Sequence, residues 1–116
     1  MELSQTCRHD ILSLSPAEPL WQRVPTRDDE GRLLGDFMML IPRLNSFSNT
    51  KMQEVICKLD KLLGLYHEYV VFADLNLKLN VLWVSHRQRS GLGLELAAAI
   101  HLCIPEAKLV AQHYDQ

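Results

Sequence analysis

The chain has 116 residues, 47% of them apolar and 22% charged, and its 12 basic and 14 acidic side chains leave a formal charge of −2. That length supports one compact core and not two, and the apolar fraction excludes disorder for most of the chain. The near-neutral balance lacks the basic excess of a nucleic-acid binder, and no run approaches the roughly 18 apolar residues of a membrane span.

In chain order, residues 1–19 read as an irregular arm. Pro16, Pro19 and Pro25 each remove a backbone donor and push the preceding residue toward extended geometry. Leu20 to Val24, anchored by Trp21, is a short extended candidate, and Arg27-Asp28-Asp29-Glu30-Gly31 reads as a polar turn. The division expected is an arm over 1–32 with little regular structure and a domain over 33–116. Leu33 to Ile41 is an apolar run stopped by Pro42, which suits a buried strand. Thr50 with Gln53 offers a capping box for the helix that follows. Met52, Val55, Ile56, Leu59, Leu62, Leu63 and Tyr66 form its single apolar stripe, with Gly64 near its end. Residues 69–87 in one strand would span roughly 60 Å at about 3.3 Å per residue, so the tract folds back among Asp74, Asn76, Lys78 and Asn80. The hairpin arms are about 69–75 and 79–87. A second helix, capped by Ser90, runs from Gly91 to Ile104 and stops at Pro105. Apolar on nearly all sides, it is expected to be buried on nearly all sides. Lys108 to Gln112 closes the chain as a strand.

This order, strand-helix-strand-strand-helix-strand, resembles the ferredoxin-like arrangement: an α+β fold with a four-stranded antiparallel sheet and two helices on one face. The resemblance covers about two-thirds of the chain. ACT-type regulatory domains, heavy-metal-associated domains and dimeric α+β-barrel proteins share the same order.

The loop His86-Arg87-Gln88-Arg89-Ser90-Gly91-Leu92-Gly93 leaves a strand and enters a helix, where unpaired N–H groups and a positive dipole end gather. Arg87 and Arg89 would supply charge, the Gly91 and Gly93 amides would donate, and His86 and Ser90 complete a candidate site for a small anionic ligand. It is similar to the strand-to-helix turn that holds ligands in ACT-type domains, with Ser90-Gly91 in place of their Pro-Gly turn. The competing reading is a solvated loop. Five histidines and three cysteines give no converging metal set, since His101 and Cys103 point about 200° apart on a helix. The heavy-metal CxxC has no counterpart in the loop from Pro42 to Thr50. Arg43 in that loop lacks the glycine-rich cradle of acylphosphatase-like chemistry. No catalytic set, cofactor or metal is implied. Cys7, Cys57 and Cys103 read as free thiols, and the polar, acidic start Met1-Glu2-Leu3-Ser4-Gln5 is unlike a signal peptide, so a cytoplasmic location is expected.

Val70 to Ala73 and Val81 to Val84 are apolar at both parities, whereas a sheet with one face in water alternates. Both faces therefore call for cover, by the arm, a second copy or another partner. The leading expectation is a non-enzymatic, homodimeric binding or regulatory module that associates through a sheet face or edge and binds an anionic metabolite at 86–93. The alternatives are an assembly subunit docking through its sheet face and a small enzyme with a polar cavity near His86 or Asp74.

Overall fold

The computed structural model describes residues 12–15 and 34–113. Its elements are β1 (Leu12–Ser15), β2 (Leu34–Leu40), α1 (Asn49–Leu65), β3 (Val70–Asn76), β4 (Val81–Arg87), α2 (Leu92–Cys103) and β5 (Lys108–His113), with a 3-10 turn at Leu44–Ser46 before α1. One sheet runs β1-β3-β4-β2-β5. The pairs β2·β4, β2·β5 and β3·β4 are antiparallel, so β2 to β5 form the ferredoxin-like α+β arrangement expected from the element order. β1 adds a parallel strand beside β3, with Leu12 opposite Ala73 and Ser15 opposite Asn76. Sequence patterning did not mark that strand. The Leu20–Val24 segment and the 27–31 turn lie outside the described residues.

Alternation along the strands sorts the sheet into two faces. Phe37 and Met39 of β2, Ala73 and Leu75 of β3, and Leu82 and Val84 of β4 join one buried cluster with Val55, Leu59 and Leu63 of α1 and Leu92, Leu96 and Ile100 of α2. Each such side chain contributes about 1.5–3 kcal/mol on burial. The predicted stripe of α1 therefore faces the core, with Met52 and Tyr66 at its margin.

Both helix starts differ from the sequence reading. α1 is capped by Ser48, whose hydroxyl accepts from the Lys51 N–H at 3.1 Å, and not by Thr50. The chain leaves the Leu44–Ser46 turn early enough for Ser48 to meet the first free N–H groups. α2 has Gly91 at its N-cap with φ 75° and no side-chain cap, so Ser90 does not serve. A left-handed backbone there turns the chain out of β4, and glycine adopts it without steric cost.

The hairpin turns at residues 77–80, within the predicted window. Asn76 Oδ1 accepts from the Leu79 N–H at 2.9 Å, and Asn80 takes φ 61°. Asn80 also accepts from the Ile41 N–H at 2.8 Å and the Asn45 N–H at 2.9 Å, pinning the hairpin to the β2–α1 connection. Asparagine suits this place because its short side chain substitutes for backbone partners.

Among the described residues, no helix is long and apolar enough to cross a membrane. Cys103 is a free thiol, but Cys57 is disulfide-bonded, which corrects the expectation of three free cysteines. Spacing along a chain does not show which sulfurs the fold brings together.

Candidate functional site

β4 delivers the 86–93 loop, and its alternation separates the residues expected to act together. His86 points to the helix side, 2% exposed, with its ring centroid 6.0 Å from that of Phe37. Its Nδ1 lies 2.9 Å from the Arg87 carbonyl oxygen, which only accepts, so the proton is assigned to Nδ1. Among the described residues, Nε2 is then a buried acceptor with no hydrogen-bond partner, and the donor Nε2 of Gln112 likewise has none. Both converge on Gly93, where a Cβ would stand 2.8 Å from Gln112 Nε2 and 3.4 Å from His86 Nε2. Gly93 thus admits side chains from β4 and β5.

The two arginines turn elsewhere. Arg87 Nε donates to the Glu68 carbonyl at 3.1 Å. Arg89 Nη2 meets Glu95 Oε1 at 3.1 Å, and its guanidinium lies 4.8 Å from the centre of the Tyr69 ring. Tyr66 donates its hydroxyl proton to Glu95 Oε2 at 2.8 Å. That hydrogen bond, with desolvation and the carboxylate charge added, raises the Tyr66 pKa above the ordinary phenol value. Glu95 sits in the first turn of α2, where a negative charge complements the dipole. The chain's own carboxylate therefore occupies the neighbourhood foreseen for an anion. Ser90 and Gly91 are exposed, with open space around Gly91. Glu95 was legible as a first-turn acid, but nothing in the pattern marked Tyr66 and Tyr69 as its companions.

Asp74 is fully buried, paired in register with Trp83 on the face away from the helices, so it and His86 occupy opposite faces of the sheet. Among the described residues, no group of three or more His, Cys, Asp or Glu side chains is placed to hold a metal ion.

The apolar surface is distributed differently from expectation. Trp83, Ser85, Asp74, Asn76 and Leu34, on the sheet face away from the helices, are 0–6% exposed in the single chain. Whether residues 1–32 cover that face lies outside the described residues. Phe72, opposite Ser85 on that face, is 36% exposed, and further exposed apolar side chains stand on α1, the hairpin, α2 and β5. α2 buries Leu92, Gly93, Leu96, Ala97 and Ile100, while Leu94 is 54% and Leu102 81% exposed, with exposed Ala98 between them. The expectation of all-round burial fails because a two-layer fold covers a helix from the sheet side only. Between α2 and β5 runs a groove of about 380 Å³, lined by Met39, Leu94, Ala98, His101, Lys108 and Leu109 among others. Val110, 55% exposed, stands at a β-bulge where the β2·β5 register shifts.

A second recess, of about 700 Å³, lies at the β2–α1 loop beside Arg43, Ser46, Ser48, Lys51 and Lys108. Lys51 is engaged there with Glu106 at 2.7 Å and lies 4.4 Å from the centre of the Phe47 ring. The Lys51 hydrogen bond holds the Glu106 carboxyl below its ordinary pKa.

Comparison with protein-family models, curated proteins and solved structures finds no match to this chain.

Proposed function

We propose that this chain is a non-enzymatic binding module that works by docking a polypeptide surface against the outer face of α2 and the adjoining groove to β5. One observation carries the reading: of the seven large apolar side chains exposed among the described residues, Leu94, Leu102, Leu109 and Val110 stand on two neighbouring elements, and Leu94 and Leu109 line the groove between them. Exposed apolar patches on a soluble domain mark interaction sites. Two polar groups nearby are satisfied within the chain, Glu95 by Arg89 and His101 by its Nδ1 proton given to the Ala107 carbonyl at 2.8 Å, and Lys108 is a cation lining the groove. A partner here loses little by desolvating Glu95 and His101.

Selection of binders from a random peptide library against the immobilised chain tests this reading. Binders should lose at least about tenfold in affinity, roughly 1.4 kcal/mol, when Leu94 and Leu102 become serine. Leu79→Ser, equally a change of an exposed leucine but on the hairpin, should leave them unaffected. Binders that follow Leu79, or that ignore α2, would place the docking face elsewhere.

A small anionic metabolite at the 86–93 loop is a second reading, supported by the open space at Gly91 beside Arg87, Arg89 and the start of α2. The ligand would have to draw Arg89 away from Glu95. Thermal-shift measurements with phosphate, sulfate and small carboxylates should then show stabilisation of about 2.7 kcal/mol at 100 times Kd. Glu95→Gln should strengthen the effect, and Arg87→Ala with Arg89→Ala should remove it. An effect unchanged in the double arginine variant would rule the loop out.

A further inference from the structure

The recess of about 700 Å³ beside the β2–α1 loop takes no part in either reading above, and its charge runs against that of the chain. Among the described residues, three cations line it, each from a different element: Arg43 from the loop, Lys51 from the first turn of α1 and Lys108 from β5. Glu106 is the one carboxylate of that lining, and it pairs with Lys51 at 2.7 Å. Two positive charges remain, in a chain whose formal charge is −2. Among the described residues, the side chains of Arg43 and Lys108 have no hydrogen-bond or ion-pair partner. We propose that this recess binds a small organic dianion, a phosphate monoester, with its charged head between Arg43 and Lys108 and its apolar body along Phe47.

Arg43 is the residue that local structure explains least. It holds φ 64°, and among the described residues the other non-glycine residue with positive φ is Asn80. Asparagine tolerates that backbone, and the Asn80 side chain accepts from the Asn45 N–H. Arg43 precedes the Leu44–Ser46 turn with no side-chain cap bond, and glycine would hold the same backbone without steric cost. What arginine adds at this place is a guanidinium beside the recess. The sheet register supplies the second cation, because Lys108 lies opposite Leu40 at the end of β2, three residues before Arg43. Residues 42–50 contain no glycine, so recognition falls to side chains instead of a cradle of backbone amides. A phosphate monoester carries nearly two charges and three acceptor oxygens on one atom. A guanidinium forks onto two such oxygens, the Lys108 ammonium is a point charge for a third, and the Ser46 hydroxyl stands on the same lining. The volume falls within the range of small-molecule sites and exceeds what a bare phosphate fills. Half-buried Pro42 and Phe47 give an apolar wall for the rest of the ligand.

Calorimetric titration of the full chain with phenyl phosphate, phenyl sulfate, inorganic phosphate and succinate tests this. Phenyl phosphate should bind at least about tenfold more tightly than phenyl sulfate, which has the same body and a single charge. It should also bind more tightly than inorganic phosphate, which lacks the body. Arg43→Gly should weaken binding at least about tenfold without lowering the melting temperature, since glycine relieves the positive φ. Lys108→Gln should weaken it as well. Glu106→Gln releases Lys51 to the recess and should tighten binding severalfold, a gain that loss of a merely structural contact would not give. Lys61→Ala, exposed further along α1, should change nothing. Absence of saturable binding of phenyl phosphate would overturn the proposal. Binding unchanged in both Arg43→Gly and Lys108→Gln, or abolished by Arg87→Ala with Arg89→Ala, would put the anion elsewhere and overturn the recess. Phenyl sulfate binding equally well would overturn the dianion, and succinate binding as tightly as phenyl phosphate would overturn the phosphate head.

Discussion

Gly91 and Gly93 stand two positions apart and answer to different constraints. Gly91 has open space where a Cβ would lie but holds φ 75°. Alanine there should cost about 1–2 kcal/mol from the backbone alone. At Gly93 the obstacle is the end of the flexible Gln112 side chain, with His86 at a tight but tolerable distance. Removing a helical glycine contributes roughly 0.8–1.0 kcal/mol in return. Gly93→Ala should therefore fall within about 1 kcal/mol of wild type, and denaturant unfolding of both variants checks the contrast. Tyr66 supplies a titration test. Its raised pKa means that the folded state holds the proton more tightly than the unfolded chain. The associated stability is fully present below the ordinary phenol range and is lost as pH rises through the folded value. Difference absorbance against Tyr66→Phe should show the phenol ionising at lower pH once Glu95→Ala removes its acceptor and the carboxylate charge. At this scale the sequence grouped the residues of one loop, and the fold paired them differently. Arg87, Arg89 and Gly93 carry the types that anion binding needs, and strand parity with the reach of Glu95 decided where each one went.

For the elements, legibility followed periodicity. α1 was clear because seven apolar residues share one stripe, and the hairpin was clear because a single strand over 69–87 would outrun the domain. Starts were less legible. Both Ser48 and Thr50 have hydroxyls near the beginning of α1, and the choice depends on where the preceding turn releases the chain. Ser48→Ala should cost about 1 kcal/mol. Thr50→Ala, on an exposed side chain, should change stability by less than about 0.5 kcal/mol, and a reversed order of effects would restore the Thr50 cap. α2 shows the limit of composition. A helix apolar all round looks buried all round, yet its exposed Leu94–Ala98–Leu102 ridge and its buried Leu96–Ile100 side have the same chemistry. Ile100→Ala should cost about 2–5 kcal/mol, while Leu102→Ala should cost little.

For the whole molecule, the disulfide at Cys57 is a covalent constraint that spacing alone did not show. The chain contains three cysteines, and among the described residues Cys103 is a free thiol. Thiol titration of the denatured chain without reductant should find fewer reactive groups than the three present after reduction. Three at the outset would restore the free-thiol reading. Surplus apolar surface was visible in the composition of residues 69–104, but its address was not. Strands β3 and β4 look two-sided, and the far-face side chains of Asp74, Asn76 and Trp83 are closed within the single chain. Four of the seven large apolar side chains left open among the described residues belong to α2 and β5.

Patterning alone determined that this is an α+β domain with the ferredoxin-like element order, because periods of two and 3.6 and the reach of a strand are local quantities. It also determined that the chain holds more apolar surface than an alternating sheet would need. Tertiary structure decided which of that surface faces water, which arginine meets which carboxylate and which glycine is crowded. Those outcomes depend on what each residue meets across the sheet and across the helix interface, and residues far apart in the chain supply the other half of every contact.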